Sequence, residues 1–416
     1  MRKLINQPIK YIIIYLFTTL FIYIMMYYKQ SSNMFITVIY VTANYLALLT
    51  GFYPNWKMNI SDRPFTLNKQ IRTFIMICCL LTIIISLNNI FAFYNSFSEI
   101  LSYITKPGEA YEYVKFLRRN SVVVNTSLLE SFIGIILNVF TFTKYFVGGL
   151  SIMYWEKLKN KEKFMVFITI FIYFIHSLLI GAMINVGAFF ISTIPFLLYK
   201  VHESQNLRKR SLLKNKMLFP VASIVAVLLL SYFLGSRHVF TLNNDTNTGI
   251  MLSGLLGLLF YLSHGYVGLS YSLNLPFKCT WGHTTFRGIM NTILPYFGVN
   301  SLFSNSYLVR NQAVNGWDAL RIWSTVFPWL ASDISFWLIP LLMFFIGYYM
   351  KKVWKEAIFN SNPFAYALMG QFLIFCFMIP ANNQLFHTFG NGVGTIIIFI
   401  LYKKSLKQTS KLRSKI

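Results

Sequence analysis

The chain has 416 residues, 56% of them hydrophobic, 18% aromatic and only 12% charged, yet it carries a formal net charge of +25. Apolar runs near 20 residues recur along it, and each can cross a hydrocarbon core about 30 Å thick, which places it among polytopic helical membrane proteins. The runs do not alternate as barrel strands would. The four cysteines, Cys78, Cys79, Cys279 and Cys376, show neither a disulfide framework nor a metal-ligand spacing.

The first apolar run, from Tyr11 to about Tyr28, is followed by no small-residue cleavage site and reads as a retained span over 11–28. Spans are expected next over 34–54 and 72–92, followed by an outer loop over 93–129 that carries PGEAYEYVKFLRRN. Another span covers 130–153. The apolar block from 164 to 199 is too long for one crossing at about 1.5 Å per residue, and Gly181 divides it into 164–180 and 182–199. After the basic run RKR at 208–210 come a span over 217–234, a large loop over 235–331, and the spans 332–350, 364–380 and 386–402. The expected architecture is a single all-α integral membrane domain over 1–416, with about ten transmembrane helices.

With the N-terminus inside, the cytoplasmic segments hold 26 of the 37 Lys and Arg. An excess of this size sets orientation, so both termini are expected in the cytoplasm and the two loops 93–129 and 235–331 outside a plasma membrane. The basic runs are therefore topology determinants, and no nucleic-acid partner is expected. One stretch of the large loop, GIMLSGLLGLLFYLSHGYVGLSYSLNLPF at 249–277, is apolar enough to span. A crossing there would put the Lys-rich tail outside, so an interfacial helix or a re-entrant hairpin is expected instead.

The outer segments are rich in arginine, including Arg118, Arg237, Arg287, Arg310 and Arg321, whereas lysine dominates inside. Lysine suffices for charge-based topology, while the guanidinium fork makes planar contacts with phosphate or carboxylate. A site for an anionic ligand at the outer surface is expected, with structural ion pairs as the alternative for any one arginine. Tyr307 and Trp317, in SYLVRNQAVNGWDALRIW, could belong to an interfacial aromatic belt or stack on sugar rings. Asp333, in SDISFW at the start of the expected span, could cap that helix or act as a base at the membrane surface. His264 in YLSHGY and His283 in WGHTTFRG are the other candidate bases, and Lys144 is an ionisable group within a span. The sequence has no phosphate-binding glycine loop, no dinucleotide fingerprint and no metal-ligand cluster, so no cofactor is expected.

In order, these features resemble the Wzy-type O-antigen and capsular polysaccharide polymerases, the oligosaccharide repeat unit polymerases. The resemblance rests on an aromatic, arginine-bearing outer loop after the third span, paired spans meeting around LLIGAMINVGAFF, and a basic cytoplasmic loop. It continues through YLSHGYVGLSYSLN and WGHTTFRGIMNTILPYFG to RIWSTVFPWLASDISFWLIPLLMFFIGYY. Asp333 is followed by Ile334 and Ser335 where the family commonly has an aromatic and a glycine.

The resemblance implies a glycosyltransferase of the C type that joins undecaprenyl-diphosphate-linked repeat units outside the plasma membrane, making O-antigen, capsule or exopolysaccharide. It also implies a flippase and a chain-length regulator as partner proteins, with membrane lipid around the substrate. On that reading the arginines meet the diphosphate leaving group, and Asp333 or a histidine takes the proton of the attacking hydroxyl. Two other readings stay open. One is a flippase or transporter for the same lipid-linked sugars; the other is a membrane-bound O-acyltransferase with His264 as base.

Overall fold

The computed structural model describes residues 2–28, 33–53, 69–119, 128–181, 183–206 and 247–413. The expected span 217–234 and Arg237 lie outside the described residues. In chain order the α-helices are α1 (Arg2–Tyr27), α2 (Met34–Phe52), α3 (Lys69–Phe91), α4 (Phe97–Ile104), α5 (Pro107–Arg119), α6 (Leu128–Val139), α7 (Thr143–Tyr154) and α8 (Asn160–Leu179). They continue with α9 (Met183–Asn206), α10 (Asn247–Ser272), α11 (Arg287–Ile293), α12 (Tyr307–Asn315), α13 (Val326–Ile334), α14 (Ile339–Asn360), α15 (Pro363–Met378) and α16 (Phe389–Arg413).

Among the described residues, seven helical segments are long and apolar enough to cross a membrane: Asn6–Tyr27, Met34–Phe52, Gln70–Phe91, Phe132–Lys157, Asn160–Leu179, Ile184–Val201 and Phe336–Asn360. The chain is thus an all-helical, multi-pass membrane protein over its described residues. The expected span 364–380 corresponds to the shorter apolar helix Pro363–Met378. The expected span 386–402 falls on α16, whose second half is basic.

Two compact units are present, one formed by residues 1–65 and 260–416 and the other by 66–259. In the second unit, α3 and α8 start at the same end, where Arg72 meets Glu162 at 2.6 Å. Glu162 also accepts the Lys159 backbone N–H at 2.7 Å, which caps α8. The division at Gly181 holds: α8 ends at Leu179, Gly181 takes φ 65, and α9 starts at Met183. The expected outer loop 93–129 opens with two short helices. Ser96 caps α4, and Tyr94, Ile100 and Val114 form a small core with Ile90 and Leu179. Two of its acids pair locally with lysines, Glu109 with Lys106 at 3.2 Å and Glu112 with Lys115 at 2.8 Å. Lys144 is buried in α7, its ammonium over the rings of Tyr145 and Tyr173 at 5.1 and 5.7 Å.

In the first unit, α2 and α14 run parallel in near-backbone contact. A Cβ on Gly51 would lie 2.0 Å from the Phe344 carbonyl oxygen, and one on Gly347 would lie 2.1 Å from that of Leu48. Small residues allow this approach in a lipid setting, where dispersion and polar contacts drive association. The tyrosine-rich segment forms one uninterrupted helix, α10, and not a hairpin. From Phe260 onward it belongs to this unit, with Ser263, His264, Tyr266, Leu269 and Ser272 fully buried. The Tyr266 hydroxyl sits 2.7 Å from that of Thr19 in α1 and 2.6 Å from that of Tyr45 in α2. A buried hydroxyl without partners is costly, so this triad pins α10 to the first two helices.

Candidate functional site

The residues between α10 and α14 gather at the end of the first unit where α2 begins. The Tyr40 hydroxyl, in the second turn of α2, donates to the Phe336 carbonyl at 3.1 Å. Phe336 follows Ser335, whose φ of 72 breaks the chain between α13 and α14.

That break corrects the expectation for Asp333. It does not cap the long apolar helix; it lies in the last turn of α13 and reaches across to the WGHTTFRG loop. Its Oδ1 accepts the Thr280 hydroxyl and the Gly282 N–H, the latter at 2.7 Å, and its Oδ2 accepts the Thr285 N–H at 2.8 Å. The Thr280 proton is thereby used, so the Thr284 hydroxyl donates to Thr280 at 2.7 Å. Between the clamped residues, Trp281 is held at φ 52, a conformation costly for a bulky side chain. Charge-assisted bonds to a carboxylate are roughly twice as strong as neutral ones and hold the turn in place. Asp333 organises this loop.

The two candidate histidines are held by different contacts. His283 is buried, and its Nδ1 accepts the Leu302 N–H at 2.9 Å. An accepting Nδ1 places the proton on Nε2 in the neutral ring, so His283 is a donor and not a base. His264 is fully buried in α10, where its Nδ1 donates to the Phe260 carbonyl at 2.6 Å and its ring stacks on Phe260 at 4.4 Å. These contacts are structural.

The arginines separate equally clearly. Arg310 lies over the Tyr307 ring at 4.9 Å, donates from Nε to the Asn305 carbonyl at 2.9 Å and from Nη1 to the Pro276 carbonyl at 2.8 Å. It ties the loop to the end of α10. Tyr307 is buried against Phe336, with ring centroids 4.7 Å apart, so it offers no open face to a sugar. Trp317 donates from Nε1 to the Trp323 carbonyl at 2.9 Å. Arg321 is largely exposed, with Asp318 at 3.9 Å. Arg118 falls in α5, in the other unit.

Arg287 is different. Its guanidinium lies 4.8 Å from the Phe303 ring centroid and 5.9 Å from that of Trp329, and among the described residues it has no carboxylate or hydrogen-bond partner. Burial lowers its pKa, but a guanidinium remains charged at neutral pH. Gly288, the next residue, donates its N–H to the Phe386 carbonyl at 2.9 Å, and a Cβ there would lie 2.1 Å from the Thr388 carbonyl carbon. This close approach brings in His387, whose ring centroid is 5.7 Å from that of Trp329. Burial, reinforced by the Arg287 charge, pushes the His387 imidazole down to about 4.

The structure thus brings together Asp333, His283 and Arg287 from the expected set, and adds Trp329, Phe303 and His387. Comparison of the chain with protein-family models, with curated proteins and with solved structures gave no match. Fold and geometry define the class: a multi-pass helical membrane protein in which, among the described residues, Arg287 lies against two aromatic rings with no carboxylate partner, beside the neutral His387.

Proposed function

We propose that the chain is a polymerase that joins undecaprenyl-diphosphate-linked oligosaccharide repeat units into polysaccharide on the outer face of the plasma membrane. The observation that carries this reading is Arg287, a half-buried cation that no carboxylate neutralises among the described residues. A site of that kind suits a diphosphate, and its donors act most strongly on charge that grows as the sugar–phosphate bond breaks. The exposed apolar side chains that follow on α14, Leu341 and Phe345, suit a substrate presented from lipid.

In the reaction, a hydroxyl of one lipid-linked unit attacks the anomeric carbon of another with inversion. The new glycosidic bond forms as the bond to the diphosphate breaks, and Arg287 takes up the leaving charge. The hydroxyl proton passes to His387, which is neutral and free to accept it. Burial and the Arg287 charge bring its basicity near that of a carboxylate, and an anion beside it raises its proton affinity. The base therefore strengthens when the donor is seated.

Deleting the gene tests the reading. Mass spectrometry of lipid-linked sugars should then find lipid carrying one repeat unit on the outer leaflet and no long chains. Units confined to the cytoplasmic leaflet would instead assign a flippase.

A further inference from the structure

Buried polar atoms almost always find partners, and each one left without costs about 1–3 kcal/mol. Among the described residues of the first unit, two adjoining segments hold Ser324 Oγ, which abuts Gly268 of α10, and four further such atoms without a hydrogen-bond partner: Thr325 Oγ1, Trp329 Nε1, Asn382 Oδ1 and Asn383 Oδ1. All four residues are at least nine-tenths buried. Thr325 and Trp329 are four residues apart at the start of α13, hence on one face of it. Thr325 occupies the N-cap position, yet its hydroxyl does not cap the helix. The segment after α15 lies against this start, with the Val326 N–H bonded to the Ile379 carbonyl at 2.9 Å. Asn383 is fixed by its other amide atom, which donates to the Thr285 carbonyl at 2.8 Å. Trp329 belongs to both groups, since its ring also faces Arg287 and His387.

We infer that these four atoms form a subsite for an uncharged, hydroxyl-rich group, a pyranose ring, placed next to the anion held by Arg287. An indole N–H and a hydroxyl supply donors, two amide oxygens supply acceptors, and no charge is present among them, which is the chemistry that reads sugar hydroxyls. The inference rests on the proposed function and names where the first sugar of the lipid-linked donor sits.

The test uses the purified full chain in detergent and two probes: undecaprenyl diphosphate, and undecaprenyl diphosphate bearing one N-acetylglucosamine. Wild type should bind the sugar-bearing probe more tightly than the bare one. Thr325→Val and Asn382→Leu should each reduce that advantage by roughly tenfold while leaving bare-probe affinity unchanged. Because the replaced atoms have no protein partner, the unfolding temperature of Thr325→Val should not fall. Arg287→Ala should weaken both probes. Equal binding of the two probes by wild type overturns the subsite and leaves the diphosphate reading standing, whereas failure to bind either overturns both. A Thr325→Val protein that loses stability while keeping the full sugar-dependent advantage also overturns it, because the hydroxyl would then be structural.

Discussion

The Asp333 carboxylate accepts the backbone N–H of Thr285 at 2.8 Å, joining the end of α13 to a loop 48 positions earlier in the chain. With the Thr280 hydroxyl and the Gly282 N–H on its other oxygen, it closes a turn that includes Trp281 at positive φ. Asp333→Asn puts an amide N–H against one of these donors and removes the charge from the rest. It should cost on the order of 2–3 kcal/mol of stability, read as a lower unfolding temperature in detergent. Loss of activity with full stability would instead mark Asp333 as the base.

Arg310 should behave as a structural residue. Arg310→Lys loses the fork that reaches both Asn305 and Pro276, so the protein should unfold earlier. Polymer per folded molecule, with membrane amounts matched by immunoblot, should stay within about threefold of wild type, well short of the hundredfold that roughly 2.7 kcal/mol of lost transition-state stabilisation would give.

The membrane class was legible because a run of about 20 apolar residues has few other uses, and Gly181 was legible because a continuous apolar block exceeds one crossing. The site was only half legible. Arg287, His283 and Asp333 stood out as polar residues in an apolar chain, but sequence does not tell which arginine is already occupied by backbone carbonyls. Composition made Arg310 and Arg287 equivalent; packing separates them. His387 was hidden in the expected span 386–402, since HTFGNGVG reads as the start of an apolar helix. The chain instead stays irregular to Thr388, where contact with Gly288 replaces helix formation. Nothing in SDISFW announces the positive φ of Ser335, so the sequence alone sets Asp333 at the head of a span.

His387 makes stability depend on pH. Its folded-state pKa, about 4, lies below the ordinary histidine value, so the unfolded chain binds the extra proton first as pH falls. The resulting stabilisation is complete above about pH 6.5 and is lost as pH drops toward 4, amounting to about 3 kcal/mol. Thermal unfolding at pH 7 and pH 4.5 should show a larger drop for wild type than for His387→Gln.

Sidedness follows from placing the 273–335 segment at the Met34 end of α2. Val314, on α12, is exposed, whereas its neighbour Asn311 is fully buried. A cysteine at 314 should react with an impermeant maleimide in intact cells, and one at Lys407 only after permeabilisation. The reverse pattern would turn the site toward the cytoplasm.

The most direct test is the polymer made by cells whose only copy of the chain carries Arg287→Ala, expressed at the wild-type level in the membrane. Losing a charged donor to a developing anion costs on the order of 2–4 kcal/mol in the transition state. Long chains should therefore fall by roughly a hundredfold or more, and lipid bearing a single repeat unit should accumulate on the outer leaflet, with Arg287→Lys recovering only part of the activity. An unchanged chain-length distribution in Arg287→Ala would contradict the assignment of Arg287 to the diphosphate site.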